Sequence, residues 1–144
     1  MGSMKKNKLI ADVDFDFSLL AIASQMKEYK LAWMINRDLG IHLVKQKDVI
    51  FQFLGNDKLC ISNYLYQTEH SRVRLIYNQS TAEATPGQFL IPELKQFDFL
   101  MIIEGFEDSF VTREVREVIR TIDGVQMVNL IEADQLKSRD NLIF

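Results

Sequence analysis

Phe97-Asp98-Phe99-Leu100-Met101-Ile102-Ile103-Glu104 is the stretch on which the fold reading turns. It is a nearly unbroken apolar run, and Gly105 closes it. A run this short predicts a central strand covered on both faces. Downstream the spacing changes. Val111, Val115, Val118, Ile119 and Ile122 recur at helical steps, and Arg113 and Glu117 form an i,i+4 pair on the wet side. Gly124 stops that helix. Residues 125–131 predict a last strand, followed by a helical turn around Ala133–Lys137 and the apolar end Leu142-Ile143-Phe144.

Upstream, residues 78–88 hold Pro86 and Gly87 and read as a loop. From 41 to 79 short alternating runs with polar turns predict an antiparallel meander. Val49, Phe51 and Phe53 form one run. Leu59, Ile61 and Leu65 form a second, alternating with Cys60, Ser62, Tyr64 and Tyr66. Val73, Leu75 and Tyr77 form a third, alternating with Arg72, Arg74 and Ile76. Over 18–38 the residues Leu19, Ile22, Met26, Tyr29 and Trp33, widened by Leu20, Ala23, Leu31 and Met34, predict a long buried helix ending at Gly40. This spacing places Trp33 in the core. In residues 9–17, Leu9, Ala11, Val13, Phe15 and Phe17 alternate with Asp12, Asp14 and Asp16, as in a half-buried strand.

Two helices cannot cover both faces of a six- or seven-stranded sheet. The pattern predicts an α+β fold. Its sheet is mainly antiparallel and both helices lie on one face, a two-layer sandwich of ferredoxin-like character. The opposite face is then expected to meet water or a partner. Met1-Gly2-Ser3 reads as a cloning remnant, and residues 4–144 as one domain.

Composition narrows the chemistry. The chain has 144 residues and a net charge of −3, which disfavours a general nucleic-acid binder. A lone cysteine, Cys60, forms no internal disulfide and fits a reducing cytoplasm. No run is long and apolar enough for a membrane helix. His42 and His70 lack metal-ligand spacing, and no cofactor is predicted. Asp12-x-Asp14-x-Asp16 opens like a calcium loop, but Phe17 stands where glycine is needed and Ala23 where glutamate is needed. There is no Gly-rich phosphate loop and no nucleophile elbow, and Cys60 lies mid-strand like an inert small hydrophobe. Asp98 and Glu104 lie about 20 Å apart along a strand, too far for a glycosidase pair.

The remaining clue is the sheet face turned from the helices. If Leu59, Ile61, Val73 and Leu75 face the helices, then Tyr64, Tyr66, Arg72, Arg74 and Ile76 form a shared outer face of interface composition.

Ile91-Pro92-Glu93-Leu94-Lys95-Gln96-Phe97-Asp98-Phe99 resembles the signature of the IPExxxVDY family of small Bacteroidota proteins. Tyr29-Lys30-Leu31-Ala32-Trp33 with Asn36, Asp48, and the closing stretch 136–144 also look like family features. Phe97 stands where the signature has Val, and Phe99 where it has Tyr; a phenol missing at Phe99 cannot be essential to chemistry. The resemblance implies a housekeeping bacterial setting, with genes beside those for acyl carrier protein, a ketoacyl synthase, ribonuclease III and pyruvate kinase, and no defined activity. Physically the motif reads as structural: Pro92 suits a strand entry bend, and it extends Ile91.

Three functions follow as expectations. The first is a non-enzymatic interaction or scaffold module, homodimeric through the outer sheet face or an edge strand, with acyl carrier protein or ribonuclease III as possible partners. The second is an RNA-binding accessory protein linked to ribonuclease III, using Tyr64, Tyr66, Arg72 and Arg74. The third is a small enzyme or ligand sensor with a pocket lined by Glu93, Asp98 or His42.

Overall fold

A computed structural model describes residues 17–52, 58–105 and 109–144; the side chains of 109 and 110 are outside the description. The alternating stretch 9–16 therefore lies outside the described residues. The elements are β1 (Ser18–Ser24), α1 (Glu28–Leu39), β2 (Val44–Lys45), β3 (Val49–Gln52), β4 (Lys58–Ile61), β5 (Asn63–Gln67), β6 (Arg72–Tyr77), β7 (Phe99–Glu104), α2 (Ser109–Arg120) and β8 (Val125–Ile131). Short 3₁₀ turns cover Pro92–Leu94, Ala133–Gln135 and Arg139–Leu142.

The main sheet has six strands in the order β2-β5-β6-β7-β1-β8, with every pairing antiparallel. The order β8-β1-β7-β6 is that of a ferredoxin-like core. It consists of two split βαβ units, β1-α1-β6 and β7-α2-β8, each with another strand between its two. The segment carrying β2 to β5 is inserted between α1 and β6. The fold is thus α+β, with a six-stranded antiparallel sheet, a small two-stranded sheet and two α-helices among the described residues, and β7 is the buried interior strand its apolar run requires.

Residues 18–24 form a strand, correcting the long helix expected over 18–38. Leu19, Leu20, Ala21 and Ile22 are fully buried because β1 lies between β7 and β8 with both faces covered. Covering on both faces removes the polar half of the alternation, so a buried strand and a buried helix share one pattern. The helix starts only at Glu28, and its buried face is Leu31, Ala32 and Ile35. Tyr29 and Trp33 point away from that face, and Trp33 is exposed rather than core. Gly40, in the left-handed region at φ 68°, ends α1 with its N–H on the Asn36 carbonyl.

Both helices pack on one face. Leu31 and Ile35 of α1 and Ile119 of α2 meet Leu20, Ile22, Val73, Leu75, Phe99, Met101 and Val128. The reverse face was expected to be open, and it is covered by the same chain. Phe51, Leu59 and Ile61 of the β3-β4 hairpin, Leu90 to Phe97, and Ala133, Leu136 and Leu142 pack on Leu19, Ala21, Ile76, Leu100 and Ile102. The hairpin is a separate two-stranded sheet, so Leu59 and Ile61 belong to this layer and do not face the helices.

Candidate interaction surfaces

The pairing of β5 with β6 decides the expected outer face. Tyr64 lies opposite Leu75 and Tyr66 opposite Val73, while Leu65 lies opposite Arg74. Residues directly opposite in an antiparallel pair share a face. Tyr64 and Tyr66 therefore pack at the margin of the helix-side core, with Val73 and Leu75. Arg72, Arg74 and Ile76 lie on the reverse side, where Ile76 is fully buried. The five residues do not share a surface. Arg74 bonds Asn63 Oδ1 at 2.6 Å, and its guanidinium lies 5.0 Å from the centre of the Phe144 ring. Arg72 Nη1 is 3.8 Å from Glu104 Oε2.

The motif residues are engaged inside the fold. Ile91 donates its N–H to Asn78 Oδ1 at 2.9 Å. Pro92 opens the 3₁₀ turn, where its missing donor costs nothing. Glu93 Oε2 accepts the Ser138 N–H at 2.7 Å. Partial burial alone would raise the Glu93 carboxyl, but hydrogen bonds from Ser138 and neighbouring backbone outweigh it and hold the group below its ordinary value. Asp98 Oδ2 accepts the Ser24 N–H at 2.8 Å, closing the end of β1. Phe97 and Phe99 are buried on opposite faces of the sheet, Phe99 against Tyr77 at 5.4 Å between ring centres. Glu93 and Asp98 thus serve different backbone donors, and His42 is exposed beyond α1.

Cys60 is half-buried, its Sγ 3.2 Å from Asp48 Oδ2. Burial raises its thiol pKa, and Asp48 adds to the rise against an opposing bond from Thr81. Such a thiol is a poor nucleophile. Among the described residues no group of three or more His, Cys, Asp or Glu could hold a metal ion, and no helix is long and apolar enough to cross a membrane.

Three features were not legible beforehand. The first is Glu28, where the Ser62 hydroxyl donates to Oε1 and Oε2 is buried without a partner. Burial pushes this carboxyl above its ordinary value, against the pull of Ser62 and Lys45. Only the tertiary meeting of α1 with the β4-β5 junction creates it. The second is an apolar cleft of about 170 Å³ between the helices, lined by Leu39, Ile41, Val73, Met101, Ile103, Val111 and Val115.

The third is the outer face of α1. Tyr29 is 68% exposed and Trp33 60% exposed, one turn apart. Arg37, one turn further, lies 5.3 Å from the centre of the Trp33 ring and bonds Asp38 at 2.7 Å. The sequence held a signal for it: Lys27, Lys30 and Arg37 flank aromatics at four-residue spacing, a pattern that shows only once the helix start is known.

At one end of the sheet, β8 is paired with β1 alone among the described strands. Its sequence, Val-Gln-Met-Val-Asn-Leu-Ile, carries no charge, and Met127 and Leu130 are 47% and 51% exposed. Arg116 of α2 donates from Nε to the Val128 carbonyl at 3.0 Å. The other edge, β2, is two residues long and carries Lys45. No protein-family model matches this chain, and neither a curated protein nor a solved structure proved significantly similar to it.

Proposed function

We propose that this chain is a non-enzymatic protein-interaction module that forms a homodimer through the edge of β8. The observation that carries the reading is a seven-residue, charge-free terminal strand with two half-exposed apolar side chains. Sheet edges are ordinarily blunted by charge, proline or shortness, as β2 is here. An unblunted edge offers its N–H and C=O groups to another strand. Two copies related by a two-fold axis at Asn129 would set Met127 against the partner's Ile131 and Val128 against the partner's Leu130. The helices of both copies would then lie on one side of a continuous sheet. Arg116 would give up the Val128 carbonyl to the incoming strand.

The covered reverse face removes the sheet surface as a docking area, which leaves the edge. An RNA-binding role would need Tyr64, Tyr66, Arg72 and Arg74 on one platform, and the β5-β6 register divides them. The carboxylates of Glu93 and Asp98 are occupied by backbone donors, which supports a fold role for the motif of residues 91–99. Sedimentation equilibrium tests the proposal. A dimer that dissociates on Met127→Lys or Leu130→Lys is expected; a strict monomer at high micromolar concentration overturns it.

A further inference from the structure

We propose that the outer face of α1 docks an acidic segment of a partner polypeptide, with Trp33 as its apolar anchor. The face lies on the helix layer, away from the β8 edge, so it does not depend on self-association. Tyr29 and Trp33 are the most exposed large hydrophobic side chains among the described residues. An exposed tryptophan, tyrosine and arginine on successive turns of one helix is the composition of an interface centre. Burial of Leu31, Ala32 and Ile35 already anchors α1, so the outward aromatics are not needed to hold it down.

Charge says what the occupant is. Residues 27–38 carry Lys27, Lys30 and Arg37 against Glu28 and Asp38, in a chain whose net charge is −3; Lys45, further on, is paired with Asp48 at 3.1 Å. The aromatic pair is therefore flanked by the positive charge of Lys27 and Lys30 in an acidic protein. Lys27 and Lys30 are exposed and lie two residues before and one residue after Tyr29. Glu28 is turned inward to Ser62, which takes the one acid of that turn away from the surface. A carboxylate-bearing segment meets lysines at the rim and buries an apolar side chain on the aromatics.

The same details disfavour nucleic acid. Arg37 covers one side of the Trp33 ring, so a base cannot be sandwiched there, and Asp38 neutralises that guanidinium. A helix flank is also convex, whereas single strands are held in basic grooves.

Trp33 is the only tryptophan, so its fluorescence reports occupancy directly. The probe is a synthetic amphipathic peptide of alternating Glu and Leu. A peptide with Lys in place of Glu, poly(U) RNA and phosphatidylglycerol vesicles are the controls. The acidic peptide is expected to shift Trp33 emission to the blue and protect it from acrylamide, with binding weakened by added salt. By calorimetry, Trp33→Ala and the pair Lys27→Glu, Lys30→Glu should each weaken binding by about tenfold or more. Both variants should melt at the wild-type temperature, because these side chains are exposed. The proposal is overturned by no binding at millimolar peptide, by unchanged affinity in the variants, or by tighter binding of RNA or vesicles than of the peptide. A Trp33 already shielded from acrylamide in the free protein would overturn it as well.

Discussion

The side chain of Asn78 binds the turn at Ile91 from both ends. Its Oδ1 accepts the Ile91 N–H at 2.9 Å, and its Nδ2 lies 3.2 to 3.4 Å from the carbonyls of Ile91, Leu94 and Phe97. The amide offers two protons to three acceptors, so these bonds are shared. Asn78 is fully buried, and it follows β6 directly, so one side chain ties the sheet to the segment that covers its reverse face.

Asn78→Ala removes the acceptor of the buried Ile91 N–H and the side-chain donor to the Phe97 carbonyl, while the Ile91 and Leu94 carbonyls keep the Leu94 and Phe97 N–H groups. The expected loss is about 2–4 kcal/mol, read as a lower urea midpoint at unchanged slope. Asn78→Asp keeps the acceptor but buries a carboxylate against carbonyls, so it should destabilise at least as much as Ala at neutral pH and less in acid, where the carboxyl is protonated.

Glu28 gives a pH-dependent stability of opposite sign to that of a salt-bridged acid. Burial raises its carboxyl in the folded state, so the folded chain holds the proton more tightly than the unfolded chain. Stability therefore falls as pH rises from the ordinary carboxylate value, 4.5, through the raised folded value. Glu28→Gln keeps a partner for Ser62 and removes the buried charge. It should raise the melting temperature at neutral pH, and the gain should vanish in acid, as calorimetry across pH would show.

Gly105 sits at φ 86° after β7, and a Cβ there would collide with the backbone carbonyl of His70. Gly105→Ala therefore combines a strained left-handed conformation with a backbone clash. A loss of about 2–4 kcal/mol is expected, since the turn before β6 must shift. Denaturant titration of the variant measures it.

Cys60 should react slowly with iodoacetamide at neutral pH, slower than a free thiol, because burial and then Asp48 hold its pKa up. Asp48→Asn should speed the reaction by lowering the thiol pKa. A rate unchanged by that substitution would show that access alone limits it.

Local patterns were read correctly where one element settled its own form. The unbroken run of β7, the helical spacing in α2 and the span of β8 needed no distant partner to be read. Residues 18–24 show the limit. Their apolar positions satisfy both periods, and only pairing between β7 and β8 makes them a strand. The misplacement of Trp33 follows, because a helix that starts ten residues later presents a different face.

The candidate site was less legible than the fold, for one reason seen at Tyr64. A strand's alternation says which residues share a face but not which face meets the core. The register that sets Tyr64 opposite Leu75 was chosen by long-range packing, and it sent both tyrosines to the helix side.

The amino-acid sequence by itself determined the antiparallel α+β class and the kinds of element outside residues 18–24, because propensity and burial period act within a few residues. The tertiary structure alone decided which strands are neighbours, which chain segments cover the reverse face, and which aromatics stay outside. Those outcomes depend on the fit between surfaces distant in sequence, and no local period encodes that fit.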